Sequence, residues 1–378
     1  MISVLHVITD LEIGGAEMML AKLLRRMDPS RYKNHVVSLT GRGPLAESLE
    51  SIGVPVHSLD MTRSRPDFLA LPKLVRLLKA IHPAILQTWL YHADLLGTAA
   101  AVVGGRPRLV WNLRCSDMDL SHYPLMTRLT LRALSLCSRM PQSIIVNSHV
   151  GQRFHQRLGY RARRWDIIPN GFDLGEFRPD QDAYVRLRDA FGLPHDTIMI
   201  GMVARLDPMK DHATFLSAAH KVAAADGNMA FLLAGKGVES LASEVERLGL
   251  MRQVHLLGFR GDVARLLPAL DIFSLTSAFG EGFPNVVGEA MACGVPCVVT
   301  DVGDAAFLVG DAGKVVPPGN PELLAQAWLE LINMDHEKRV RLGVAARERI
   351  RTHFDLASVV TRYERCYEEI AAEKSAGR

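Results

Sequence analysis

Glu281 and Glu289 stand eight residues apart around a Gly-Phe-Pro-Asn turn, the stretch of this sequence best equipped for chemistry. The apolar run Asp271-Ile-Phe-Ser-Leu-Thr276 precedes them and reads as a strand. Behind them come Ala290-Met-Ala-Cys293, a Gly294 stop, and a second strand, Pro296-Cys-Val-Val-Thr300. Strand, glycine loop, helix and strand make a parallel α/β crossover, and such sheets hold ligands at the carboxyl ends of their strands. There, free N–H groups at a helix start suit phosphate and carboxylates suit hydroxyls. A sugar nucleotide carries both kinds of group.

Pro284 marks the expected helix start, so Glu281 falls in the loop before it and Glu289 about one turn inside. The two cannot share one helical face as a paired acid and base. Glu281 is placed to reach a sugar ring and Glu289 a ribose, with Phe283, Pro284, Asn285 and Val286 between them over the phosphates. Carboxylates near a helix start also stabilise the helix alone, but the whole strand–loop–helix–Gly–strand block favours the binding role.

Other residues belong to the same chemistry. Gly14-Gly15-Ala16-Glu17 follows the first strand and begins a helix, so backbone can approach an anion there. Such turns also use glycine for geometry alone, and both readings stand. Arg205 and Lys210 lie in the loop after the first strand of the second half, where two cations can neutralise a diphosphate leaving group. The plain alternative is a solvated loop with Asp211 as a helix cap. His92 follows a strand ending near Thr88; a lone histidine is usually structural, but its place on the ligand side of the sheet keeps a binding role in view. Asp117 and Asp119 have metal-ligand spacing but no supporting strand, which favours a solvated loop. Cys293 and Cys297 have zinc-like spacing without a second Cys/His pair, so they are expected to pack as small apolar residues.

These groups need a scaffold, and the periodicity supplies one. Strands are expected at 4–9, 35–39, 54–59, 85–88 and 109–113, closing with 143–147, and helices at 16–27, 43–52, 67–81 and 93–103. After the turn-rich segment 169–173 a second series runs through strands at 197–204, 230–234 and 254–257, with helices at 212–225, 239–248, 260–267 and 321–334. The alternation implies α/β architecture with two doubly wound parallel sheets. The expected domains are 1–168 and 169–355, with 356–378 as an amphipathic C-terminal helix.

The bulk properties agree. A chain of 378 residues is long for one core and favours two domains. With 48% hydrophobic and 22% charged residues it is globular, and a net charge of +3 lacks the dense basic stripe of a nucleic-acid binder. Five scattered cysteines argue for reduced thiols in a cytoplasmic setting. The first residues read as a strand rather than a signal peptide, and no apolar run reaches the ~18 residues of a membrane span. The segment 116–142 carries a basic, Leu-rich helix with Arg128, Arg132 and Arg139 that suits peripheral contact with a membrane. Against that stands simple packing of Leu129, Leu131, Leu134 and Leu136 on the sheet, which is the preferred expectation.

Taken together, Gly14-Gly15, Arg205 with Lys210, and the block from Glu281 to Glu289 with Gly294-Val-Pro296 and Gly303 resemble retaining glycosyltransferase family 4. The resemblance covers nearly the whole chain. It implies the GT-B fold, two Rossmann-like domains facing across a cleft, with acceptor on the N-terminal one and nucleotide sugar on the C-terminal one. It also implies that the last helix crosses back onto the N-terminal domain and that neither metal nor cofactor is needed. By the same resemblance Arg205 and Lys210 hold the donor diphosphate, Glu281 the transferred sugar and Glu289 the ribose. Gly14 and Gly15 approach the phosphates and His92 bonds the donor sugar. Ala204 departs from the glycine common at its position.

The implied reaction moves a hexose-type sugar from a nucleotide sugar, UDP-sugars first and GDP-sugars next, to a glycan or lipid-linked glycan in surface polysaccharide or lipopolysaccharide synthesis. The expected place is the cytoplasm, at the inner face of the membrane if 116–142 touches it. Base, sugar, acceptor, linkage and oligomeric state stay open. A nucleotide-sugar epimerase on the same architecture would turn over donor without acceptor. A non-catalytic nucleotide-sugar sensor would bind donor and release no nucleotide. A nicotinamide dehydrogenase is disfavoured because Gly-x-Gly-x-x-Gly is missing after the first strand.

Overall fold

The computed structural model describes residues 1–62, 67, 69–115, 125–225 and 228–373. They form two compact units, one made of 1–171 with 356–378 and the other of 172–355.

The first unit holds strands β1 (Ile2–Ile8), β2 (Tyr32–Ser38), β3 (Val56–Ser58), β4 (Ile85–Trp89), β5 (Arg108–Leu113), β6 (Ser143–Val146) and β7 (Trp165–Ile167). They pair in the order β3-β2-β1-β4-β5-β6-β7, every pair parallel. The series does not close at 143–147 as expected, since the three-residue β7 adds a seventh, edge strand. Alternation along β1 divides the core: Val4 and Ile8 face one apolar cluster and Leu5 and Val7 the other. The first cluster is covered by the helices Gly15–Arg26 and Leu356–Ala372, the second by Ala70–Ile81, Tyr91–Val103 and Leu125–Cys137. Helices on both faces explain why strands such as β4 are buried throughout.

The last helix buries Val359, Val360, Tyr363, Tyr367 and Ile370 in this unit. Tyr363 stacks on Trp89 at 6.3 Å, and its hydroxyl accepts a bond from the Asn112 side chain at 3.0 Å.

The second unit holds β8 (Ile198–Val203), β9 (Met229–Ala234), β10 (Val254–Leu256), β11 (Ile272–Leu275), β12 (Cys297–Thr300) and β13 (Gly313–Val316). Their order is β10-β9-β8-β11-β12-β13, again all parallel. In both sheets the chain works outward from a central strand and then reverses. The switch points lie between β1 and β4 and between β8 and β11. The helix Gln181–Phe191 begins at Asp180, whose carboxylate caps the Ala183 N–H at 3.1 Å. It carries Arg188, fully buried, paired with Asp271 at 2.5 Å, donating to the Thr197 and Ala269 carbonyls and lying on the Tyr184 ring. That pair ties the helix to the foot of β11.

Candidate active site

Lys210 and Glu281 come from the two strands that flank the second unit's switch point, and they form an ion pair through Nζ and Oε1. Both side chains are largely buried. Each is delivered by a loop with its own fastening. After β8, Asp207 accepts the Met209 N–H at 3.0 Å and starts a single 3-10 turn, Pro208–Lys210. Burial opposes ionisation of Asp207, but that N–H and the Arg205 guanidinium outweigh it and hold its carboxyl below the usual range. Asp211 then takes a left-handed conformation (φ 48°) and caps the helix His212–Ala225, accepting the Thr214 N–H at 3.1 Å and its hydroxyl at 2.6 Å. Arg205 is exposed and turned towards Asp207, at 3.0 and 3.1 Å.

The departure at Ala204 has a local account. Gly235 (φ 154°) packs against the Ala204 carbonyl, and a Cβ at 235 would collide with it. The close backbone approach is met by glycine on the neighbouring strand's exit, so a methyl at 204 is accommodated.

After β11, Ala278 donates its N–H to the Met209 carbonyl at 2.8 Å, and Ser277 donates its hydroxyl to Glu281 Oε1 at 2.6 Å. Gly303 (φ 65°) lets the next loop lie against the Glu281 backbone. The helix Asn285–Ala292 follows, so Glu281 is in the loop and Glu289 one turn inside. One expectation needs correction. Pro284 is the residue before the helix rather than its first, and having no N–H it offers phosphate nothing; Asn285 and Val286 carry the first-turn donors. Phe283 is buried and stacks against Phe172 and Phe354 at 6.3 and 5.4 Å, so its ring belongs to the core and the role expected of it at the phosphates falls to its backbone N–H.

In the first unit, Gly14 precedes the helix Gly15–Arg26 and Glu17 folds back over its start. Its carboxylate lies over the Ala16 and Glu17 N–H groups, and a side chain at Gly14 would run into it. Burial raises the Glu17 carboxyl above its ordinary value. The N–H groups expected to meet phosphate therefore already face a carboxylate. His92 is exposed in the first turn of Tyr91–Val103. Leu90 before it has φ 71°, a conformation that costs a non-glycine residue energy. Within the same helix Asp94 is fully buried, bonded by the Thr88 hydroxyl at 2.5 Å, and burial pushes its carboxyl well above the usual range. Arg114 lies over Trp89 at 5.0 Å and bonds Asn170 at 2.7 Å and the Tyr363 hydroxyl at 3.2 Å.

Ser277, Thr276, Glu17 and Arg114 carried no role in the sequence. Only the position of Thr276 and Ser277 at a strand's carboxyl end signalled them. Cys293 and Cys297 are buried thiols, that of Cys293 pushed up to about 12 by burial. No group of three metal-type ligands occurs among the described residues, and Asp117 and Asp119 lie outside them. No helix among the described residues is long and apolar enough to cross a membrane. Leu131 and Leu134 pack on the sheet as expected, but Leu129 and Leu136 are exposed.

Known proteins resemble this chain in sequence and fold. The family described as Glycosyltransferase Family 4 matches residues 13–176, and Glycosyl transferases group 1 matches 197–334. The UDP-Gal:alpha-D-GlcNAc-diphosphoundecaprenol alpha-1,3-galactosyltransferase of Escherichia coli is 26% identical over 71% of each chain. A GDP-mannose-dependent alpha-(1-6)-phosphatidylinositol monomannoside mannosyltransferase of Mycolicibacterium smegmatis is 29% identical over 67% of this chain and 68% of its own. The crystal structure of Anabaena HepE in complex with UDP and glucose superposes with a TM-score of 0.84 at 25% identity, covering 98% of this chain and all of that one.

Proposed function

We propose, from the premise that this chain is a glycosyltransferase of the family 4 type with the GT-B fold, that it is a retaining enzyme acting on a nucleotide sugar. The donor is a UDP-hexose in the first instance and a GDP-hexose in the second, in keeping with the donors named for the relatives. The acceptor is a glycan or a lipid-linked glycan of a surface polysaccharide or lipopolysaccharide. One observation carries the reading: a lysine and a carboxylate meet at the switch point of the second sheet, in the loop that leads into the helix Asn285–Ala292.

Lys210 neutralises the donor diphosphate, assisted by Arg205 and the Asn285 and Val286 N–H groups. Glu281 takes hydroxyls of the transferred sugar and Glu289 those of the ribose. His92 is assigned to the donor sugar and Gly14 and Gly15 to phosphate, with Glu17 the anion that competes for their helix start. As the bond from the anomeric carbon to the phosphate oxygen breaks, the acceptor oxygen attacks from the same face. The departing phosphate takes its proton, so no protein nucleophile is consumed. The protein contributes positioning and charge, and no metal is required.

Thermal-shift screening against UDP, GDP and their hexose conjugates tests the donor, since binding raises apparent stability by mass action. The anomeric configuration of the product tests retention, and full turnover in EDTA tests metal independence. Turnover of donor without acceptor would favour the epimerase, and binding with no nucleotide release under any acceptor the sensor.

The exposed face of the helix Leu125–Cys137 supports peripheral attachment at the inner side of the cell membrane. Met126, Leu129 and Leu136 are exposed beside exposed Arg128 and Arg132, with Arg139 and Met140 just beyond. No acidic residue occurs in 125–142. Apolar side chains among cations suit an anionic bilayer. Vesicles containing phosphatidylglycerol should bind the protein at low salt and release it at high salt, and Leu136→Glu should weaken that binding.

A further inference from the structure

The residues that end β11 hold both members of the Lys210–Glu281 pair. Thr276 and Ser277 are fully buried at the carboxyl end of the strand. The Thr276 hydroxyl lies 3.0 Å from the carbonyl oxygens of both Lys210 and Asp211. The Ser277 hydroxyl donates to Glu281 Oε1, the same oxygen that meets Lys210 Nζ. Thr300 fastens this end of the strand from β12, donating to the Ser277 carbonyl at 2.6 Å.

We infer that Thr276 and Ser277 are positioning residues that let Lys210 pass from Glu281 to the donor phosphate. This rests on the donor-binding roles given above to Lys210 and Glu281. A lysine cannot serve a largely buried carboxylate and a diphosphate equally, and when Nζ turns to phosphate the carboxylate loses a charged donor. Ser277 stays behind and keeps Oε1 bonded, so the transfer leaves Glu281 satisfied and oriented for sugar hydroxyls. Thr276 holds the Lys210 backbone still, so the movement is a side-chain pivot rather than a loop rearrangement.

Two measurements test this. The first needs no ligand: Lys210→Ala mimics the departed lysine, and thermal unfolding is compared for Ser277→Ala in the wild-type and Lys210→Ala backgrounds. Ser277→Ala should lower Tm by about 4 °C more in the Lys210→Ala background, where Glu281 has already lost its lysine. Ser277→Thr should restore most of that loss. Equal losses in the two backgrounds would overturn the inference. In the second, Ser277→Ala should weaken binding of UDP about tenfold, or of GDP if that is the base bound, with no further effect in Glu281→Gln. An equal weakening in both backgrounds would mean a general structural defect and would also overturn it. If the wild-type protein binds neither nucleotide, the donor reading fails, and the unfolding comparison still decides whether Ser277 holds Glu281.

Discussion

The two units bury their titratable groups in different ways. The first buries them singly: Asp94 with only a threonine hydroxyl, Glu17 on backbone N–H groups, and His6 and His155 held neutral by burial at about 4. The second buries His212 singly in the same manner, but it also buries opposite charges in contact, Arg188 with Asp271 and Lys210 with Glu281. A singly buried group is satisfied by fixed neighbours and can only hold shape. A buried pair can exchange one partner for a ligand of the same charge, provided the pair lies where a ligand can reach. Arg188 and Asp271 sit at the foot of β11, whereas Lys210 and Glu281 sit at its carboxyl end, so position separates a structural pair from an exchangeable one.

That contrast can be broken by mutation. Arg188→Ala should cost about 3–5 kcal/mol of stability, because Asp271 would be left buried without its partner. Chemical denaturation measures this, and a loss below ~1 kcal/mol would remove the distinction. Lys210→Ala should leave the midpoint of unfolding within a few degrees while turnover falls by about 10²–10³. Unfolding comparable to that of Arg188→Ala, or normal turnover, would refute the assignment.

Asp94 sharpens the other side of the comparison. Its folded-state carboxyl lies above the unfolded value of 3.8, so the folded chain holds the proton more firmly. The group therefore costs nothing below about pH 4 and becomes a growing penalty as pH rises through the window above it. Asp94→Asn should gain thermal stability over the parent as pH rises from 4 to 8, and a pH-independent difference would mean that the carboxyl is not singly buried.

Much of this was legible from spacing. Strands buried on both faces announce themselves as apolar runs, and the Glu281–Glu289 block carried its loop, helix and following strand in its own punctuation. What escaped had physical reasons. β7 and β13 are short edge strands whose apolar runs are broken by Asp166 and Lys314. The helix that Asp180 caps carries no start signal in the sequence, because a capping carboxylate and a solvated one are the same letter. The helix His336–His353 is too highly charged for an apolar stripe to stand out. Ser277 was unreadable for another reason: its hydroxyl matters only because a loop returns Glu281 to it, and that closure is set by Gly303 and the β12 exit.

The return of the last helix to the first unit has a consequence for biosynthesis. The second unit is one uninterrupted stretch, but the first is split, with Val359, Tyr363 and Tyr367 arriving only after the whole second unit has been made. At ~5–20 residues per second the nascent first sheet must wait on the order of 10–40 s for that helix. During that interval one face of β1 and β4, including Trp89, lacks its cover. The segment made second is thus the one able to fold first, and the half-finished N-terminal sheet is where a chaperone would be needed.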